Sequence, residues 1–254
     1  MIESLKDILT QTGAGLLRWR GQAGGEWHGA QLKTEADCEA HQALSGALIK
    51  LLNIPVISEE DAESHTVSRP ERYWLIDPID GTASLAAGFP GFVTQAALME
   101  QGTPVMAAVY APALDRLYTA VKDAGAFCNG KKIRVSGDSD RLMLVDNYPQ
   151  PKGTAVRMMQ ELHCTGYLES GSISLKICRV ADGSADVFFK DIVVRDWDIG
   201  APLLIVQEAG GTIAQTDGTP YRFDGQMEKS GIIAARTSKI CLQVAGALRK
   251  IPLS

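Results

Sequence analysis

The sequence predicts an α/β fold, and three observations carry that expectation. Beyond residue 140, short apolar runs alternate with helical patterns. Between residues 90 and 135, apolar runs succeed one another with turn residues between them, as in an antiparallel meander. The apolar and aromatic run Tyr73–Ile76 reads as a buried strand. It is followed by Asp77-Pro78-Ile79-Asp80-Gly81-Thr82, where proline bends the chain, glycine permits close backbone approach and threonine can cap a helix.

In chain order, Ile2, Leu5, Ile8, Leu9, Leu16 and Trp19 recur at helical spacing and predict an amphipathic helix over 3–20, weakened by Gly13 and Gly15. Gly21–Gly29 reads as a flexible glycine-rich loop. A second helix is expected over 35–52, capped by Thr34 and ended by Pro55, with Leu44, Leu48 and Leu51 on one face. Residues 61–71 are polar and read as a surface loop. Phe92–Met99 and Pro104–Ala111 should be strands joined by a turn at Gln101-Gly102. Leu117–Val121 should be a third strand, and Asn129-Gly130 a type I′ hairpin between Ala126-Phe127 and Ile133–Val135. The shift to Ser136-Gly137-Asp138-Ser139-Asp140 suggests two subdomains, 1–136 and 137–254. The second should hold strands at Leu142–Val145, Ala185–Phe189, Thr212–Ala214 and Ile232–Ala235. Its helices are expected over 153–162, 172–182, 198–208 and 237–249.

Composition narrows the function. A chain of 254 residues, 45% hydrophobic and 22% charged, is ordinary for a soluble globular protein. A net charge of −5 and a pI near 5.4 argue against a nucleic-acid surface, which needs a basic patch. The five cysteines are odd in number and form no C-x-x-C pair, so reduced thiols in a cytoplasmic protein are expected rather than zinc or disulfides. The first residues lack a basic stretch followed by an apolar run, so no signal peptide is expected, and no apolar stretch approaches membrane-spanning length. The phosphate-binding and nucleophile motifs of dinucleotide enzymes, P-loop proteins and serine hydrolases are absent.

The chemistry concentrates in carboxylates. Two aspartates at the end of a strand that leads to a helix N-terminus place hard oxygen ligands beside backbone N–H groups, which suits a divalent cation next to a phosphate. The bland alternative is a polar turn after a core strand. Ser58-Glu59-Glu60-Asp61 alone reads as a solvated acidic run, and Asp37 alone as a helix-surface carboxylate. Trp197 reads as core packing and Asp196 as a solvent-facing or capping residue.

Glu59-Glu60, then Asp77-Pro78-Ile79-Asp80-Gly81-Thr82, then Trp197-Asp198 with Glu208-Ala209-Gly210-Gly211 resembles the magnesium-dependent, lithium-sensitive phosphatases of the inositol monophosphatase family, from about Lys33 to Ala235. The resemblance implies a layered α/β/α/β/α sandwich of the inositol monophosphatase and fructose bisphosphatase type. It also implies two or three Mg²⁺ held by Glu59, Asp77, the Ile79 carbonyl, Asp80 and Asp198, with Asp77 bridging two of them. Asp37 would bond Thr82, the pair orienting or deprotonating the attacking water with Glu59 close by. Gly81 and Thr82 N–H groups would hold the phosphate, and Glu60 would stand behind the ligands.

Two branches of that family compete for the substrate. Pro55–Asp61, Arg72-Tyr73-Trp74, Tyr110-Ala111-Pro112 and Ser174-Leu175-Lys176 look like the 3′(2′),5′-bisphosphate nucleotidases, with Lys176 meeting the second phosphate. Gly88-Phe89-Pro90, Gly125–Val135 and Asp191, seven residues before Asp198, look like the inositol monophosphatases, with Asp191 on ring hydroxyls. Ser172 is a further candidate substrate contact. Lys176 as a helix-surface residue is the bland reading. Ser84-Leu85 departs from both branches. The nucleotidase is slightly favoured, and a non-catalytic binding or regulatory protein is the reading from another class. The expected partner is a small phosphorylated substrate, with neither nucleic acid nor membrane. A homodimer is common in the inositol branch and monomers in the other, which leaves a homodimer open.

Overall fold

The protein is described by a computed structural model over residues 1–22, 24–28, 31–66, 68–137 and 141–250; the side chains of 26–28 and 31–33 are not part of that description. Asp138-Ser139-Asp140, in the expected subdomain boundary, lies outside the described residues, as do Ala23, Gly29 and Val67 of the two expected loops.

Helix α1 (Ile2–Leu17) is followed by a short hairpin, β1 (Gly25–His28) and β2 (Gln31–Thr34), where a glycine-rich loop was expected. Helix α2 (Glu35–Leu51) starts where Thr34 predicts. The Asp37 carboxylate accepts the Thr34 N–H at 2.6 Å and the Thr34 hydroxyl at 2.7 Å, so the helix's third residue reaches back to hold its N-cap. It ends before Pro55 can act.

Strand β3 (Val56–Ser58) leads into a segment that is not wholly irregular, since Ala62–His65 form a 3₁₀ turn whose N–H groups are capped by Asp61. Strand β4 (Arg72–Asp80) is longer than Tyr73–Ile76: both aspartates belong to the strand rather than to a turn after it. Pro78 cannot donate to the ladder, and the pairing with the next strand shifts register between Asp77 and Asp80. Helix α3 (Thr82–Ala86) opens after Gly81, whose φ of 94° favours glycine.

The meander follows as expected, through β5 (Val93–Glu100), β6 (Thr103–Ala111), β7 (Arg116–Val121), β8 (Gly125–Cys128) and β9 (Lys131–Ile133). Asn129 and Gly130 both have positive φ, the type I′ signature. Strands β3 to β9 form one sheet in chain order, parallel only between β3 and β4.

The second half alternates: β10 (Met143–Asp146), α4 (Thr154–Glu161), β11 (Gly166–Glu169), α5 (Ile173–Ala181), β12 (Val187–Lys190), β13 (Val194–Arg195), α6 (Asp196–Glu208), β14 (Thr212–Ala214), β15 (Glu228–Lys229), β16 (Ile232–Ala235) and α7 (Ser238–Leu248). Five of these strands form a mixed sheet in the order β11-β10-β12-β16-β14. Helix α6 begins two residues earlier than expected, because Asp198 is its third residue and its carboxylate accepts the Arg195 N–H at 2.8 Å.

Strand alternation sorts the core into layers. Trp74 and Ile76 of β4 face Leu5, Leu9, Leu44 and Leu48 of α1 and α2, whereas Tyr73 and Leu75 face Leu175, Ile177, Ile199 and Leu203 of α5 and α6. Phe188, Ile232 and Ala234 of the smaller sheet close over the same two helices. Val187, Phe189, Ile233 and Ala235 point the other way, onto Met158 of α4 and Ile240 and Val244 of α7. The fold is therefore an α/β/α/β/α stack with α5 and α6 in the middle layer. Among the described residues all five cysteines are free, and no helix is long and apolar enough to cross a membrane.

Candidate active site

Three segments far apart in sequence meet at the end of β4. Asp77 and Asp80 come from the strand itself, held rigid inside the large sheet and both buried. Asp198 comes from the first turn of α6 and is half-buried. Each offers a carboxylate oxygen, and these atoms lie within 4.8 Å of one another. Glu59 follows β3, its N–H on the Ile76 carbonyl at 3.4 Å, and its carboxyl hydrogen-bonds Asp77.

The helix ends explain the placement. Asp80 accepts the N–H of Ile173 at 3.4 Å and of Ser174 at 2.7 Å, so it caps α5 from another element. Asp77 accepts the Ile79 N–H at 3.0 Å and faces the Gln95 amide at 3.5 Å. The loops that bring the two sheets together approach closely: a Cβ on Gly171 would stand 2.0 Å from the Gly91 carbonyl oxygen, and Ser172 N–H donates to that oxygen at 2.7 Å.

Burial first, and then neighbouring negative charge, raises the acidity constants here. Glu59 is pushed up to about 7, by burial and then by Glu60. Asp77 lies well above the carboxylate range, by burial and then Glu59; Asp198 does too, by burial and then Asp80. So many carboxyls in one buried spot cannot all be ionised without a cation among them. The set is all oxygen, which selects a hard divalent ion over zinc or copper. The residues present fit such an ion.

On the other side of β4's end, the Thr82 hydroxyl lies 3.1 Å from Asp37 Oδ1 and 3.3 Å from the Ile79 carbonyl. Burial raises the Asp37 pKa, with the Thr34 bonds opposing it. The structure thus brings Asp37, Thr82, Ile79, Asp77, Asp80, Glu59 and Asp198 into one region.

A cavity of about 360 Å³ opens beside Asp80 and Gly81, bordered also by Ser84, Asn147, Ser172, Lys176 and Lys190. Lys176 is not on a helix surface: it is 1% exposed, its ammonium bonding Asn147 Oδ1 and the Gly171 carbonyl and lying 5.1 Å from the Phe188 ring. Burial, and then Lys190, lowers its pKa to about 7. The Ser172 hydroxyl accepts the Leu175 N–H at 3.1 Å and so caps α5. Asp191 is half-buried after β12 and does not border the cavity, whereas its neighbour Lys190 does. Sequence reasoning missed Lys190 and Asn147, which sit at strand ends with no local motif to mark them.

Asp196 is the plain correction. Expected in solvent or as a cap, it is fully buried, paired with Arg69 at 2.7 Å and accepting the Tyr221 hydroxyl at 2.9 Å. The partner lies 127 residues away in sequence, so no local pattern could reveal it. Trp197 packs in the core as expected, stacked on His65 with ring centroids 4.6 Å apart.

A family profile described as the inositol monophosphatase family matches residues 14–252. An inositol-1-monophosphatase of Mesorhizobium japonicum is 34% identical over 192 residues, 71% of this chain and 68% of that protein. A Nus factor SuhB of Xylella fastidiosa is 34% identical over 191 residues, 71% of this chain and 67% of that protein. Among solved structures, an IMPase of Thermotoga maritima superposes with a TM-score of 0.82 at 25% identity, covering 96% of each chain. The suhB protein of Bartonella henselae gives 0.82 at 27% identity, covering 98% of each.

Proposed function

This chain belongs to the inositol monophosphatase family, and we propose that within it the protein is a magnesium-dependent phosphomonoesterase that transfers the phosphoryl group of a small ester to water. The observation that carries this reading is the convergence of Asp77, Asp80 and Asp198 within 4.8 Å beside the Thr82–Asp37 bond. Glu59, Asp77, the Ile79 carbonyl, Asp80 and Asp198 would hold the ions. When bound, divalent ions offset the charge of the carboxylates and the phosphate and lower the pKa of a water.

The chain's own residues do the rest. The Thr82 hydroxyl donates to Asp37, which leaves a Thr82 lone pair to accept a water proton and turn that water toward phosphorus. Asp37, its pKa raised by burial, is suited to take the proton onward. Gly81 and Thr82 N–H groups, at the start of α3, face phosphate oxygens.

For the substrate, the cavity favours an ester with a second anionic group, a 3′,5′-bisphosphate nucleotide. Lys176 and Lys190 border the space beside Asp80, and Asp191 does not. An anion there would also restore the full charge of Lys176. The names of relatives favour inositol 1-phosphate instead, and none of those quoted above is named a nucleotidase. A name such as Nus factor SuhB raises a binding or regulatory role. The presence together of Asp37, Thr82 and the aspartate cluster supports catalysis over it.

Phosphate release from adenosine 3′,5′-bisphosphate and inositol 1-phosphate, with magnesium, with lithium and with chelator, tests the reading. Activity should vanish in chelator and fall with lithium; full activity in chelator would refute the mechanism. Lys176→Ala should raise KM for the bisphosphate with little change in kcat and spare inositol 1-phosphate. Unchanged kinetics on both substrates would remove the reason for preferring the nucleotide.

A further inference from the structure

Glu59 and Asp198 reach the site from different layers, and something must fix their separation. Asp77 and Asp80 are set by β4 in the middle of a sheet, but Glu59 follows an edge strand only three residues long. The chain then runs through a segment with little ladder pairing before it returns at Arg72. Two residues of that segment, His65 and Arg69, tie it to the first turn of α6, and they grip Trp197 and Asp196, the two residues before Asp198.

The first tie is aromatic and polar together. His65 Nε2–H donates to the Ser58 carbonyl at 2.6 Å, which fixes the imidazole against the residue just before Glu59. The same ring stacks on Trp197 with centroids 4.6 Å apart and planes 27° apart. One ring therefore touches the backbone beside one carboxylate and the side chain beside the other. The second tie is ionic: Arg69 Nη2 meets Asp196 Oδ2 at 2.7 Å, with side-chain exposures of 13% and 0%. Arg69 also contacts Met227 Sδ and lies 5.7 Å from the centre of the Tyr73 ring of β4. Tyr221 holds the other Asp196 oxygen, so the carboxylate cannot turn away. Neither tie serves the fold of its own segment alone, since each spans more than 120 residues of sequence.

We propose that His65 and Arg69 are positioning residues for the divalent-ion site: they clamp the Glu59 segment onto α6, so that Glu59 and Asp198 stand at one separation. The inference rests on the metal-site reading above. Groups that hydrogen-bond metal ligands directly change metal affinity about 10–100-fold when removed, and these two act one residue further out, so the lower end of that range is expected.

The test is Mn²⁺ binding to the metal-free full chain, by electron paramagnetic resonance and calorimetry, well below the melting temperature and with Tm measured in parallel. His65→Ala and Arg69→Lys should each weaken Mn²⁺ binding about tenfold. His65→Phe keeps the stacked ring and loses only the bond to Ser58, so it should fall between wild type and His65→Ala. Arg69→Ala strands the Asp196 charge and can fail to fold, which is why the lysine variant, with its charge kept and its planar fork lost, carries the ionic arm. A lower Tm with affinity within twofold of wild type in both His65→Ala and Arg69→Lys makes the ties merely structural and overturns the proposal. Asp80→Asn is the reference. Binding by wild type that Asp80→Asn weakens, with both clamp variants unchanged, removes the clamp alone. No Mn²⁺ binding by wild type removes the metal-site reading, and the clamp falls with it.

Discussion

The Thr82 hydroxyl lies between two acceptors, Asp37 Oδ1 at 3.1 Å and the Ile79 carbonyl at 3.3 Å, and it has one proton to give. A charged acceptor makes the stronger bond, so ionised Asp37 should win it. That choice leaves the Thr82 lone pairs free to accept from a water. Thr82→Ala should therefore leave metal affinity within a fewfold of wild type while lowering kcat about 10²–10⁴-fold, the range for positioned acid–base groups. Asp80→Asn should lower metal affinity and turnover together, since it removes a ligand charge. Calorimetric metal titration beside steady-state kinetics separates the two, and wild-type turnover in Thr82→Ala would dismiss the proposed pair. At this scale the sequence was legible only as a joint pattern. Asp37 alone reads as a helix-surface carboxylate because nothing nearby announces that α2 turns its third residue inward onto a strand end. Lys190 and Asn147 were not legible at all, and Asp196 was misread, because the groups that give them meaning are brought together by the fold.

Helix α6 contains Pro202 within its span, and a proline has no N–H for the carbonyl four residues earlier. That carbonyl belongs to Asp198. It is not left empty: the fully buried Ser174 of α5 donates its hydroxyl there at 2.9 Å, while its own N–H goes to Asp80 at 2.7 Å. One serine thus mends the helix that carries Asp198 and ties it to the strand that carries Asp80. Ser174→Ala should cost about 1–3 kcal/mol in urea unfolding, the penalty for a buried acceptor without a partner. In a Pro202→Ala background, where residue 202 regains its N–H, the same change should cost well under 1 kcal/mol. Equal losses in both backgrounds would show that the hydroxyl serves something other than the carbonyl. Elements were more legible than residues, since periodicity and turn chemistry are local: Asn129-Gly130, Gln101-Gly102 and the Thr34 cap all lie where the sequence places them. The misses have physical causes too. The strand was expected to stop at Ile76 because isolated carboxylates avoid buried strands, yet β4 runs on through Asp80 and buries both aspartates as part of a polar site. The strand at Gly166–Glu169 is an edge strand with weak alternation, and its pairing with β10 is what defines it.

Across the whole molecule, the five layers set the carboxylates where the middle helices meet the large sheet, so folding itself forces like charges together. Glu59 is raised to about 7 from 4.5, and Asp77 and Asp198 lie well above 3.8. Between about pH 4.5 and 7 the folded, metal-free chain holds a proton on Glu59 that the unfolded chain has released. By linkage, stability is fullest below the unfolded value and falls as pH rises through the folded one. Lys176 acts in a separate window with the opposite sign. Lowered from 10.5 to about 7, it makes stability rise with pH between those values. The metal-free protein should therefore lose melting temperature from pH 5 to 7, a decline that flattens above 7. A divalent ion binds the ionised carboxylates and must displace their protons, so its effect grows in the same interval. At about 100 times Kd, magnesium should add about 2.7 kcal/mol, or about 5–10 °C in Tm for a chain of this size. That gain should be present at pH 8 and mostly gone at pH 5.5. Differential scanning calorimetry with magnesium and with chelator at the two pH values measures both effects. A magnesium shift of equal size at pH 5.5 and 8 would mean that the ion does not bind at these carboxylates.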